Sequence, residues 1–325
     1  MFECKTQNAI FLDYALGKLV CTQETSREMM DPEQTDKQKP DFNDFFRTGS
    51  AWEMWRNGNP YEFVQTYEVM KEAFGYDLQY VNFGYWPDGL TTVEAGREMS
   101  LLVGNALGLS KGDRLLEGGS GLGQAAIDLC EHFDLDRAVG MNPCVPQVEY
   151  ANELAQFYGF GDRIQHEVCD ASKRIFEIEP GTFTHGMAME CIGVFPDPDA
   201  FLRGMYQQLP SGGRMAFTVV TSPGNASKFQ DWSGKLFFGV GTLPGERWAQ
   251  RFEEAGFVEV QRQDITEEVL SPMLSVVRER IESQPEILHQ IGPMLRLAVL
   301  FIMGASERGL SKKRLGYELI WGLRP

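Results

Sequence analysis

"LLEGGSGLG", Leu115 to Gly123, places two apolar residues and one carboxylate ahead of Gly119, Gly121 and Gly123 at alternate positions. Glycine at that density after a short apolar run points to backbone pressed against a ligand. Each missing Cβ lets the chain turn sharply and lets another molecule approach closely. A bare strand-to-helix turn needs only one glycine. The following "GQAAIDLCEHF" has apolar residues at helical spacing. A helix starting near Gly121 would aim free N–H groups at whatever lies on the loop.

The pattern around this stretch alternates. "RLLE" reads as a first strand and "RAVGMN" as a second, followed by a helix in "VPQVEYANELAQFYG". "RIQHEVCD" and "THGMAME" read as the third and fourth strands, and "DPDAFLRGMYQQL" as a helix. "GGRMAFTVV" is a fifth strand, "GERWAQRFEEAGF" a helix, "VEVQRQDI" a sixth strand and "YELIWGL" the last. Strands alternating with helices predict an α/β fold with a mostly parallel sheet. Two segments interrupt the alternation, Ser222–Gly245 and the long helical stretch Thr266–Lys313, and insertions at such places usually cover a site. Residues 1–45 read as a short amphipathic helix and a polar linker, 46–100 as an aromatic-rich helical cap, and 101–325 as the core with a lid insertion at about 266–313.

Composition narrows the partners. The 325 residues carry a formal net charge of −16, which argues against a nucleic-acid binder and against docking on an anionic membrane. The longest apolar stretch, Leu295 to Ala305, is about half a membrane span and contains Arg296, so no membrane insertion is expected. The six cysteines are scattered without a CxxC pair, and no secretory signal is evident. A cytoplasmic chain with reduced thiols and no metal site is the expectation.

A dinucleotide site is a rival reading of the loop, since Gly121, Gly123 and Ala126 satisfy G-x-G-x-x-A. Those glycines come late relative to the strand end. The ribose position, 142 − 123 = 19 residues on, offers Asn142 rather than an acid.

Taken together, the motifs resemble those of the class I S-adenosylmethionine-dependent methyltransferases. "LLEGGSGLG" is similar to their first motif, an acid followed by G-x-G-x-G. "GMNPCVPQ" resembles the G-x-N-x-S-x-x-Q motif of the sterol, tocopherol and natural-product branches, with Cys144 where serine is usual. "VCDAS", "MECIGVFPD", "LPSGGRM" and "NFGYW" resemble, in order, the adenine-binding motif, the "ExxxHxPD" segment, the "LKPGGRL" lead-in and an aromatic loop that closes over the cofactor. The resemblance covers roughly residues 80–325 and implies a Rossmann-like fold. Its seven-stranded, mostly parallel sheet would have the last strand antiparallel, with a helical N-terminal segment and a helical lid.

It also implies roles for individual residues. Glu117 would face the amino group of S-adenosylmethionine, and Gly119, Gly121 and Gly123 would lie along its methionine chain. Asn142 would bond the ribose hydroxyls, with Gln147 nearby. Asp170 would accept from the adenine amino group and the Ala171 N–H would donate to a ring nitrogen. Tyr85 and Trp86 would turn π faces toward the sulfonium. Each has a plainer alternative: Asp170 as a turn cap, Asn142 as a solvated turn residue, Gln147 as a helix-start residue, Tyr85 and Trp86 as core.

Methyl transfer to a hydroxyl needs a base. The related branches use a histidine in "ExxxHxPD", and here that position is Val194. His132 falls on a helix surface, while His166 and His185 fall inside strands as core or sheet-edge residues. The candidates left are His289, in the lid, and Glu190, at the end of the fourth strand. The lid, with Met273, Leu274, Met294, Leu295, Leu297, Leu300, Phe301, Ile302 and Met303, is either a packing face or the wall of a pocket for a bulky apolar acceptor. The expected activity is O-methylation of a small natural product. Alternatives are a C-methyltransferase, a non-methylating cyclase of the same fold and, more remotely, a nicotinamide oxidoreductase.

Overall fold

The structure is a computed structural model that describes Tyr80 and residues 82–87, 89–222, 243–283 and 292–325; for 146, 292–299, 301 and 302 only the backbone is described. The helical readings of residues 1–45 and 46–79, most of the Ser222–Gly245 insertion, and His289 lie outside the described residues.

A seven-stranded sheet runs in the order β3-β2-β1-β4-β5-β7-β6. Its strands are β1 (Arg114–Gly118), β2 (Arg137–Asn142), β3 (Ile164–Val168), β4 (His185–Met189), β5 (Arg214–Thr221), β6 (Val258–Asp264) and β7 (Gly316–Leu323). The pairs among β1 to β5 are parallel, and β7 runs antiparallel to both β5 and β6. The helices are α1 (Thr92–Leu107), α2 (Gln124–Phe133), α3 (Val145–Phe157), α4 (Ala171–Arg174), α5 (Pro198–Gln208), α6 (Gly245–Glu254), α7 (Thr266–Ser283) and α8 (Gly292–Ser311). The last two lie between β6 and β7 in the chain, where the sequence interrupts its alternation.

Local chemistry sets the element ends. α1 opens on a capping box: the Thr91 hydroxyl accepts from the Glu94 N–H and the Glu94 carboxylate accepts from the Thr91 N–H. α5 begins at "FPDP", where Asp197 accepts from the Ala200 N–H at 2.8 Å and Pro198 occupies the first turn. The central strands are apolar on both faces because helices cover both. Leu116, Val139, Ala188 and Phe217 are buried in one core with Phe201, Met205, Trp248 and Phe252 from the helices.

The chain crosses from β1 through β2 to β3 on one side, then continues with β4 and β5 on the other. The strand order therefore reverses between β1 and β4. In open α/β sheets the crevice at such a reversal, beyond the strands' carboxyl ends, is where ligands sit. The glycine loop leaves β1 on one side of this crevice, and Glu190 leaves β4 on the other.

Candidate functional site

Glu117, next to last in β1, is 3% exposed, and its Oε2 has no hydrogen-bond partner among the described residues. Burial pushes this carboxyl up to about 8. The loop beyond it is held by its own backbone. The N–H groups of Gly119 and Ser120 both donate to the Met141 carbonyl, at 2.8 and 3.2 Å, and the Gly123 N–H donates to the Ser120 carbonyl. Gly119, Gly121 and Gly123 all take left-handed φ, at 74°, 52° and 81°. A Cβ on Gly119 would lie 2.5 Å from the Cys191 Sγ, so two requirements select glycine there. Helix α2 starts at Gln124, later than the expected Gly121, because three left-handed residues precede it.

Asn142 ends β2 and ties the loop down. Its amide donates to the Gly121 carbonyl at 3.1 Å and to the Gln147 Oε1 at 2.8 Å, and its Oδ1 accepts from the Cys144 N–H at 3.3 Å. It is buried, not a solvated turn residue. Gln147, in the first turn of α3, is 6% exposed and its Nε2 has no partner among the described residues. Asp170 caps α4: its Oδ1 accepts from the Ser172 N–H and hydroxyl, and its Oδ2 pairs with Lys173 at 3.3 Å. The lysine is mostly exposed, so a competing donor can displace it at little cost. Ala171 opens that helix and is buried.

Across the crevice, Glu190 follows β4 with a φ of 57°, uncommon for a residue with a side chain. Its N–H is shared between the Thr218 carbonyl and hydroxyl on β5, at 3.2 and 3.1 Å. Its Oε1 accepts from the Phe83 N–H at 2.7 Å and from the Tyr317 hydroxyl at 2.6 Å. Burial pushes the carboxyl up to about 7, against the pull of these two donors toward the ionised form. Next to it, the Cys191 thiol donates to the Gly118 carbonyl at 2.9 Å; burial, with Glu117 and Glu190 nearby, holds it well above the usual thiol range. Val194 ends the short turn Ile192–Val194. Tyr317 and the Phe83 backbone were missed in the sequence, because no local pattern marks a contact across 127 or 107 positions.

The aromatic loop is tied through its backbone to two helices. The Trp86 N–H donates to the Glu268 carbonyl of α7 at 2.8 Å, and its indole N–H donates to the Phe83 carbonyl. Trp86 lines a small cleft with Phe83, Asn82, Met273, Val276 and Val277. The Tyr85 N–H donates to the Ala95 carbonyl, and burial with Glu268 and Glu98 nearby pushes its phenol up. Both aromatics are thus seated against α1 and α7. Of the apolar lid residues, Met273, Leu274 and Met303 are buried and Leu300 is 44% exposed. Among the described residues no cluster of His, Cys, Asp and Glu is arranged for a metal, and no helix is long and apolar enough to cross a membrane.

A family model for a methyltransferase domain matches residues 94–262. The erythromycin 3''-O-methyltransferase of Saccharopolyspora erythraea is 27% identical over 255 residues, covering 72% of this chain and 81% of that one. An S-adenosylmethionine-dependent Diels–Alderase of Talaromyces variabilis is 28% identical over 223 residues, covering 63% and 75%. Among solved structures, the [4+2]-cyclase SpnF superposes with a TM-score of 0.64 at 21% identity, covering 80% of this chain and 94% of that one, a likeness of fold.

Proposed function

The chain belongs to the methyltransferase-domain family, within the S-adenosylmethionine-dependent class I enzymes, and on that premise we propose that it methylates a hydroxyl of a bulky, largely apolar natural product. The cofactor is S-adenosylmethionine, and two buried polar atoms that have no partner among the described residues suit it. Glu117 Oε2 is a carboxyl oxygen in need of a cation, which an α-amino group supplies, and Gln147 Nε2 is a donor in need of an acceptor, which a ribose hydroxyl supplies. On this reading Glu117, Gly119, Gly121 and Gly123 hold the methionine part, Asn142 and Gln147 the ribose, and Asp170 and Ala171 the adenine. On the same reading Tyr85 and Trp86, bonded through their backbones to α1 and α7, close the aromatic loop over the sulfonium.

Bound S-adenosylmethionine supplies a methyl group activated by a sulfonium sulfur. The protein aligns the acceptor, excludes water and takes the hydroxyl proton. Glu190 carries the proposal: a carboxyl beside the strand reversal, fixed by bonds to two distant segments and poised near neutrality. Glu190 would accept the proton of the acceptor hydroxyl as that oxygen is methylated, and would return it to solvent. His289 is the other candidate base, and it lies outside the described residues.

Val194, standing where the resemblance implies a basic histidine, favours a second reading in which the pocket folds a polyene for cyclisation and the cofactor only shapes the site. The Diels–Alderase relative fits this second reading. Incubation of the full chain with S-adenosylmethionine and hydroxyl-bearing macrolides, followed by mass spectrometry, separates them. S-adenosylhomocysteine formed in step with a methylated product is expected. An isomerised product with no S-adenosylhomocysteine supports the cyclase.

A further inference from the structure

His166 lies in β3, opposite Gly140 of β2, and is 4% exposed. Its backbone is gripped by one side chain of α3: the His166 N–H donates to Asn152 Oδ1 at 2.8 Å and the Asn152 amide donates back to the His166 carbonyl at 3.0 Å. Its ring crosses above β2 to the glycine loop, where Nδ1 lies 3.1 Å from the Ser120 hydroxyl. The passage is shaped to admit it. A Cβ on Gly140 would lie 2.3 Å from the His166 Nδ1, and a Cβ on Gly123 would lie 2.8 Å from its Nε2. Two glycines on two different elements thus vacate the volume that one imidazole fills.

The chemistry of the ring fits a tether rather than a proton carrier. Burial lowers the imidazole to about 4, so it is neutral near pH 7. Nε2 is buried and has no partner among the described residues. An unpaired N–H there would cost more than an unpaired lone pair, which places the proton on Nδ1, donating to the Ser120 oxygen.

We propose that His166 is a positioning residue for cofactor binding, acting through Ser120 to fix the glycine loop from beneath. Among the described residues, β2 also constrains the loop through the Met141 carbonyl and the Asn142 amide, and the Gly123 N–H closes it on the Ser120 carbonyl. Ser120 sits between Gly119 and Gly121, and both need left-handed backbone. Glycines hold such a shape only where contacts impose it, since the unliganded loop otherwise samples many others. The His166 tether removes that freedom in advance, so binding does not have to.

The test is calorimetric titration of the full chain with S-adenosylhomocysteine, with thermal unfolding as the check on folding. His166→Phe keeps a ring and deletes the hydrogen bond; Ser120→Ala deletes one oxygen. Each is expected to weaken S-adenosylhomocysteine about tenfold. The double variant should be no weaker than either single, because both remove the same bond. His166→Asn, whose amide can occupy the Nδ1 position, should recover affinity to within about threefold of the parent chain. A role confined to core packing would not give this rescue or this non-additivity. Affinity unchanged in Ser120→Ala, or losses that add in the double variant, overturns the proposal. Should His166→Phe fail to fold, Ser120→Ala and its comparison with His166→Asn still decide it.

Discussion

On the β1–β3 side of the crevice, the site is made by backbone and by side chains close to strand ends. Gly119, Ser120 and Gly121 are fixed through the ends of β2, and Asn142, Gln147 and Asp170 each sit within a few residues of the strand they follow. On the β4 side, the single residue Glu190 joins three segments far apart in the chain, its carboxylate accepting from Phe83 and Tyr317 and its backbone N–H donating to Thr218. On the proposed reading the first side is a surface prepared for a cofactor of fixed shape. The second is a junction whose geometry depends on how the aromatic loop and β7 are seated. A cofactor shared across a family suits the first construction. An acceptor peculiar to one protein suits the second, because long-range contacts can be exchanged one at a time without disturbing the loop.

The comparison breaks most severely at Gly119→Ala. A left-handed backbone costs a substituted residue about 1–2 kcal/mol. The Cβ would also overlap Cys191, at about 1–3 kcal/mol for overpacking. Thermal unfolding should show the loss, and S-adenosylhomocysteine binding should fall with it, while a substitution on the β4 side should leave that binding alone. Glu190→Gln is the matching case across the crevice. Turnover should drop about 10²-fold with cofactor affinity nearly unchanged, since a general base acts in the transition state. In the parent enzyme turnover should also fall as pH drops below about 7, because protonation of Glu190 removes the base. A rate that stays flat from pH 8 to about 5.5 would exclude this carboxylate as the base.

Smaller effects sharpen the β1–β3 side. Asp170→Ala should weaken cofactor binding by about 1–3 kcal/mol if the adenine amino group is its partner. A folded variant with unchanged affinity in calorimetry would leave Asp170 only the capping of Ser172. The smallest effect concerns Glu117, whose folded-state pKa of about 8 lies above its ordinary value. Stability from its protonated form is full at low pH and is lost as pH rises toward 8. Cofactor binding should run the other way. A cationic amino group favours the carboxylate, so affinity should rise a fewfold between about pH 6 and about 7.5, with release of a proton. Glu117→Gln should abolish both the rise and the proton release.

The same division explains what the sequence made legible. The sheet and its helices follow from short apolar runs and local caps, and "RAVGMN" matches β2 residue for residue. The glycine loop is legible because its constraint is on backbone dihedral angles, which only glycine satisfies cheaply. Glu190 could be placed at a strand end but not given its partners. Tyr317 looked like one more apolar residue of the last strand, and its hydroxyl is completely buried against a residue 127 positions away. Tyr85 and Trp86 stood out as aromatics, but the backbone bonds that tie them, Tyr85 to Ala95 and Trp86 to Glu268, are ones no residue type encodes. His166 read as a core or sheet-edge histidine. It is buried, and its tether to Ser120 required knowing that β3 and the loop after β1 meet across Gly140.

One edge of the sheet bears on how copies of the chain can meet. β6 is the outermost strand on its side, nearly all of its residues are exposed, and its register against β7 is interrupted between Val258 and Gln261. Glu259 takes a left-handed φ of 51° at that irregularity, and the strand continues with Gln261, Arg262, Gln263 and Asp264. A kinked edge carrying charges of both signs offers poor backbone registration to an incoming strand. Growth of this sheet through that border into a continuous intermolecular ribbon is therefore disfavoured, and self-association at high concentration has to find another surface.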